Sequence, residues 1–101
     1  MGSLAVQGLA ALGFSKAFVG VSGYTPAAGF TLNDFARSEV TRAILACGAR
    51  NYVVTDSSKF GASHAALVCS DLGLISAVVT DPGIPEEHRL ALEAAGVGVI
   101  A

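Results

Sequence analysis

The densest group of reactive side chains in this sequence is Asp56-Ser57-Ser58-Lys59-Phe60-Gly61, placed directly after the apolar run at residues 52–55 (YVVT). It offers a carboxylate, two hydroxyls and an ammonium within four residues. A phosphorylated sugar needs that mixture: an anion wants an ammonium or backbone N–H groups, and sugar hydroxyls want a carboxylate that accepts two bonds at once. The local alternative is that Asp56 caps the next turn and Lys59 is a solvated surface lysine. Glu39 and Arg42 stand three residues apart, hence on one face of a helix, either as a surface ion pair or as the second wall of a polar pocket. Spacing alone favours the ion pair.

Other chemistries find little support. His64 has no second histidine or carboxylate at ligand spacing, and His88 lies one turn into an acidic helix start. Both are expected to be ordinary surface or partly buried residues, and no metal site is visible. Gly20 and Gly23 flank Val21-Ser22, but the third glycine and the downstream ribose-binding acid of a dinucleotide fingerprint are missing. There is no Gly-x-Ser-x-Gly elbow for a hydrolase. No cofactor is implied.

Those side chains must be carried by a small scaffold. The chain has 101 residues, 52% hydrophobic and 14% charged, so it is one globular domain at most and too apolar for disorder. Charged residues usually make up about 25% of a soluble domain, and the shortfall suggests a surface meant to be covered. A net charge of −2 provides no electrostatic footprint for a phosphate backbone, which argues against direct nucleic-acid binding. Cys47 and Cys69 are too few and too isolated for a disulfide framework or a zinc knuckle, and each is expected to be a small buried hydrophobe. Gln7, Ser15 and Lys16 interrupt the most apolar stretch short of a membrane span, and no basic region precedes an apolar core. A cytoplasmic, membrane-free protein is the expectation.

Apolar patterning predicts strands at residues 17–21 (AFVGV), 52–55 (YVVT), 77–80 (AVVT) and 97–100. A helix is predicted from Asn33 or Asp34 to Cys47, with Ala36, Val40, Ala43, Ile44 and Cys47 at helical spacing and Gly48 as its stop. A second is predicted over residues 85–95, with Pro85 in its first turn, Glu86 and Glu87 near the positive dipole end, and Gly96 as its stop. Residues 66–69 form a short strand and 71–75 a turn of helix in this reading, while 4–14 resembles the end of a helix. Strands alternating with helices predict an α/β fold: an open, mostly parallel Rossmann-like sheet with flanking helices. Ligands bind beyond the carboxyl ends of such strands, which singles out the loops at residues 22–25, 56–61 and 81–83.

Phe18-Val19-Gly20-Val21-Ser22-Gly23, Gly29-Phe30-Thr31, Ser38-Glu39-Val40-Thr41-Arg42-Ala43, Thr55-Asp56-Ser57-Ser58-Lys59-Phe60-Gly61 and Val79-Thr80-Asp81 occur in an order and at intervals that resemble the effector domain of DeoR-family transcriptional regulators. The resemblance covers residues 14–101, and Asp-Ser-Ser-Lys-Phe-Gly is its most specific piece. It implies a cytoplasmic regulator of sugar metabolism in which a winged helix-turn-helix binds operator DNA and this domain binds a phosphorylated sugar. It also implies the fold of ribose-5-phosphate isomerases and CoA transferases, in which Lys59 and Glu39 fall where those isomerases keep a site lysine and the catalytic glutamate. Isomerases of this type carry an Asp-Gly-Ala-Asp-Glu-like turn where this sequence has Gly20-Val21-Ser22-Gly23-Tyr24. Loss of those carboxylates favours binding without turnover.

On this resemblance Lys59 is expected to hold the phosphate or a sugar oxygen. Asp56, Ser58 and Glu39 are expected to hold hydroxyls, Ser22 and Gly23 to allow close backbone approach, and Arg42 to give support from the helix. Met1-Gly2-Ser3 is expected to be an expression scar, and residues 4–101 the C-terminal part of the effector domain, truncated at its N-terminus, with the DNA-binding domain absent. The effector, operator DNA through that absent domain, and further copies of the chain in a homo-oligomer are the expected partners. The competing readings are an isomerase using Glu39 as base with Lys59 as stabiliser, and a bare oligomerisation module.

Overall fold

Two sheets, not one, organise the described residues. The structure is a computed structural model that describes residues 16–47 and 50–101. In chain order its elements are β1 (Lys16–Gly20), β2 (Gly23–Thr25), β3 (Gly29–Leu32), α1 (Phe35–Leu45), β4 (Arg50–Val54), a 3-10 turn (Ser57–Lys59), β5 (Ala66–Cys69), a 3-10 turn (Leu72–Leu74), β6 (Ala77–Val79), α2 (Glu86–Ala94) and β7 (Gly98–Ile100). The expected open parallel sheet is present, four-stranded in the order β1-β4-β6-β7.

Because the strand order runs in one direction and parallel crossovers are right-handed, the connecting helices fall on one face of this sheet. Burial follows. Val19, Val53, Val78 and Val99 share one row, and the first three are buried with Leu92 of α2 and Val97 in the core. On the other face Phe18 stacks on Tyr52 at 5.1 Å and stays 65% exposed, and Val54 and Ile100 are also exposed.

The loop expected at residues 22–25 is instead largely a strand. Gly23, Tyr24 and Thr25 pair antiparallel with Thr31, Phe30 and Gly29, and β3 pairs antiparallel with β5 through a bulge. The glycines, threonines and proline here resemble a loop locally, but Tyr24, Phe30 and Leu32 are each at most 1% exposed and need a buried sheet to carry them. Residues 66–69 do form a strand as expected, but it joins this second sheet and not the parallel one.

Asp34 starts α1, its Oδ1 accepting from Ala36 N at 2.9 Å and Arg37 N at 3.3 Å. The helix ends at Leu45, two residues short of the expected Cys47; Gly48, the expected stop, and residues 4–14 lie outside the described residues. Its buried positions are Ser38 and Leu45, while Ala36 is exposed and Val40, Ala43 and Ile44 are half-buried. Ser38 tolerates burial because its hydroxyl donates to the Phe35 carbonyl at 2.8 Å. Cys69 is buried as expected, and burial pushes its thiol up; Cys47 is half-buried. Gly96 ends α2 as expected, with φ of +86°.

Asn51, on β4, ties three elements together. Its side-chain amide is 2% exposed and donates to the carbonyls of Leu45 and Leu74, each at 2.9 Å. Asn51→Ala removes both bonds and leaves the Leu45 carbonyl buried without that donor, so a loss of about 1–3 kcal/mol is expected in urea denaturation. A loss below about 0.5 kcal/mol, the size of an ordinary surface substitution, would remove this role.

Candidate functional site

At the carboxyl ends of β1, β4 and β6 the chain leaves the sheet in three loops that are bonded to one another. The ladder continues one residue past the strands, with Thr55 N–H donating to Val79 O at 3.1 Å and Thr80 N–H to Ile100 O at 2.8 Å. The Thr55 hydroxyl reaches back to Val21 O at 3.4 Å, which brings the β1 loop beside the β4 loop.

Asp56 then N-caps the 3-10 turn. Its Oδ1 accepts from Ser58 N–H at 3.0 Å and also from the Ser58 hydroxyl. Its Oδ2 lies 3.6 Å from Lys59 Nζ. The capping alternative raised by the sequence is therefore the observed geometry of Asp56, and Lys59 is half-buried and paired instead of free in solvent. Asp81 completes the edge from β6: one oxygen accepts from Ser57 N–H at 3.0 Å and the other from Gly83 N–H at 2.9 Å. These bonds hold both carboxyls below the usual carboxylate range, chiefly the Ser58 hydroxyl for Asp56 and the Ser57 N–H for Asp81.

The far end of this loop is anchored in the core. Phe60 is buried, its ring centroid 5.8 Å from Tyr24 and 6.0 Å from His88 of α2. Gly61 N–H donates to Tyr24 O at 2.7 Å. Burial in this group raises the Tyr24 phenol above its usual value. Gly23 lies under the same loop, where a Cβ would overlap the Ala62 carbonyl and lie 2.9 Å from its carbon. Next to it, His64 Nε2 is 3.1 Å from Ser22 O, and His64 N–H donates to the Thr31 hydroxyl at 3.0 Å.

Of the residues selected from sequence, the fold brings Ser22, Gly23, Asp56, Ser58 and Lys59 to this one edge. Glu39 is exposed on α1 and its side chain, among the described residues, makes no hydrogen bond or ion pair; the expected Glu39–Arg42 pair is not formed. Arg42 stands apart from the edge, lining a cleft beside β5. Asp81, His64 and His88 were undervalued by sequence reasoning. The repeat of Val-Val-Thr-Asp at residues 53–56 and 78–81 was a usable signal for Asp81, since it puts a carboxylate at the same point after neighbouring strands. No local signal marks the histidines. His88 is 9% exposed, a correction to the surface or partly buried position expected, because Tyr24 and Phe60 from distant segments close over it.

Charged and hydroxyl groups are thus fixed at the carboxyl ends of adjacent strands of an open α/β sheet, the region where sheets of this kind bind their ligands. The chain belongs to the DeoR C terminal sensor domain family, whose family model matches residues 1–82. It is thus a regulatory sensor domain of the DeoR type; α2 and β7 follow the matched span. No curated protein matches the chain. No helix among the described residues is long and apolar enough to cross a membrane.

Gly23→Ala should destabilise the domain by about 1–3 kcal/mol, because the obstacle is main chain and not a mobile side chain. An unchanged urea midpoint would mean that the β2 strand and the 61–62 segment separate freely. Acid provides a second test. With folded values of Asp56 and Asp81 below their unfolded ones, their contribution is complete above the unfolded value, near pH 4, and is lost as pH falls through the folded values. Stability should therefore fall more between pH 4 and pH 2 in the wild type than in Asp81→Asn; equal losses would contradict the assigned bonds.

Proposed function

We propose that this domain senses a phosphorylated sugar at the carboxyl edge of its parallel sheet and transmits that binding to operator affinity in a cytoplasmic repressor of carbohydrate utilisation. The observation that carries the reading is the Asp56–Lys59 turn: an ammonium held 3.6 Å from a carboxylate on a turn fixed at both ends. Lys59 supplies the charge for a phosphate or a sugar oxygen. Asp56 and Ser58 present acceptor and hydroxyl groups to the sugar, and Ser22 and Gly23 let the ligand approach main chain. Glu39 and Arg42 of α1 are not among the groups brought to this edge and make no contact with the sugar in this reading.

Membership in a regulatory sensor family supports binding without turnover. The absence of carboxylates from Gly20-Val21-Ser22-Gly23-Tyr24 supports it independently, since isomerisation needs groups to move a proton and stabilise an enediolate. Coupling to DNA requires the effector to bind one regulator state more tightly, by about 1–3 kcal/mol in typical cases.

The test is calorimetric titration of this chain with pentose 5-phosphates, hexose 6-phosphates and inorganic phosphate. A sugar phosphate should bind more tightly than phosphate alone, and Lys59→Ala should weaken it by about ten-fold or more, the scale of a lost charged hydrogen bond. Unaltered affinity in a folded Lys59→Ala variant would refute the assignment of Lys59.

A further inference from the structure

His64 reaches the carboxyl edge from the segment that follows Gly61, and its ring lies against the β1 loop. Its main chain is tied to β3, with His64 N–H donating to the Thr31 hydroxyl at 3.0 Å, and Thr31 is buried. Nε2 of the ring is 3.1 Å from Ser22 O, and Cδ2 is 3.0 Å from the point where a Cβ on Gly23 would stand. The missing side chain at Gly23 lets the imidazole come this close to main chain. The ring is thus fixed beside the Ser22-Gly23 main chain that a ligand at this edge approaches.

That contact decides the tautomer. A carbonyl oxygen only accepts, so Nε2 carries the hydrogen, and in the neutral ring Nδ1 is then a bare acceptor. Nδ1 takes no hydrogen bond among the described residues and, unlike Nδ1 of His88, is not a buried atom. Acceptors are what the edge otherwise lacks. Asp81 uses one oxygen on Ser57 N–H and the other on Gly83 N–H. Asp56 Oδ1 accepts from Ser58 N–H and from the Ser58 hydroxyl, and its Oδ2 faces the Lys59 ammonium. A nitrogen lone pair repels the oxygens of a phosphate, which are acceptors too, and accepts readily from a hydroxyl.

We propose that His64 is a further ligand-binding residue of this edge, its Nδ1 accepting a hydrogen bond from a hydroxyl of the sugar. With the carboxyl edge as the effector site, on which this inference rests, labour is divided: the Lys59 ammonium supplies charge and the His64 imidazole reads a hydroxyl. His64 therefore sets the preference for a sugar phosphate over phosphate that carries no sugar. A mere staple between Ser22 and the segment at 64 would need Nε2 alone.

Nitrogen-15 spectra of the chain in mildly alkaline buffer should show the Nε2–H tautomer of His64. The Nδ1 resonance should move on titration with pentose 5-phosphates or hexose 6-phosphates and stay in place with inorganic phosphate. His64→Gln keeps an N–H at the reach of Nε2 and removes the Nδ1 acceptor. This variant should bind the sugar phosphate about three- to ten-fold more weakly, the scale of one neutral hydrogen bond, with inorganic phosphate affinity and the urea midpoint unchanged. Circular dichroism checks that it folds; if it does not, the tautomer and the Nδ1 response of the wild type carry the test alone. An Nδ1–H tautomer, an Nδ1 resonance indifferent to every sugar phosphate that binds, or undiminished affinity in folded His64→Gln overturns the role of His64 and leaves the edge as the binding site. Equal weakening toward inorganic phosphate makes His64 a staple for the Ser22 loop and overturns the role as well. Failure of every sugar phosphate to bind the wild type overturns the effector site itself, and this inference with it.

Discussion

Tyr24 and Phe60 meet where the two sheets join, their ring centroids 5.8 Å apart beside the 2.7 Å main-chain bond from Gly61 to Tyr24. Tyr24 belongs to the antiparallel hairpin and Phe60 ends the loop that leaves the parallel sheet. Each sheet alone is small: three or four strands of three to five residues. Short sheets gain stability mainly by packing against something else, and these rings provide that packing. His88 adds α2 to the same group, with its ring 5.8 Å from Tyr24. A hydrophobic contact thus decides where the polar turn at residues 57–59 sits.

That turn is organised before any ligand arrives. Asp56 Oδ1 accepts from its own turn and Asp81 bonds both Ser57 and Gly83, which fixes main chain and leaves Asp56 Oδ2 beside Lys59. The Lys59 ammonium stands at the mouth of this turn, 3.6 Å from Asp56, where the Ser58 hydroxyl is already bonded to the same carboxylate. Preorganisation of this kind lowers the ordering cost of binding, because the loop gives up little further freedom. It also explains why capping and ligand recognition are compatible readings of Asp56: the same carboxylate can close the turn and hold the lysine at its mouth.

Sheet topology has its own consequence. A strand order that advances in one direction places the connecting helices on one side, and the opposite face keeps Phe18, Val54 and Ile100 in contact with solvent. Parallel sheets are normally covered on both faces.

Much of the fold is written in short-range pattern. The β-branched runs at residues 52–55 and 77–80 and the two helices could be read locally because strand and helix periodicities and caps such as Asp34 act within a few residues. The Asp56-Ser57-Ser58-Lys59 cluster was legible for the same reason, its groups being adjacent in the chain. The hairpin was not: Gly23-Tyr24-Thr25 is a strand only because Phe30 and the 66–69 segment complete its sheet. The partnership of Asp81 with Ser57, the place of His64 against Ser22, the burial of His88 and the separation of Arg42 from Lys59 likewise depend on segments distant in sequence. By itself, then, the sequence determined the two helices, the strands other than β2 and β3, and the chemistry of one loop, because those follow from local sterics and hydrophobic spacing. Only tertiary structure decided which side chains share an edge, since that requires long-range pairing and packing that no local pattern encodes.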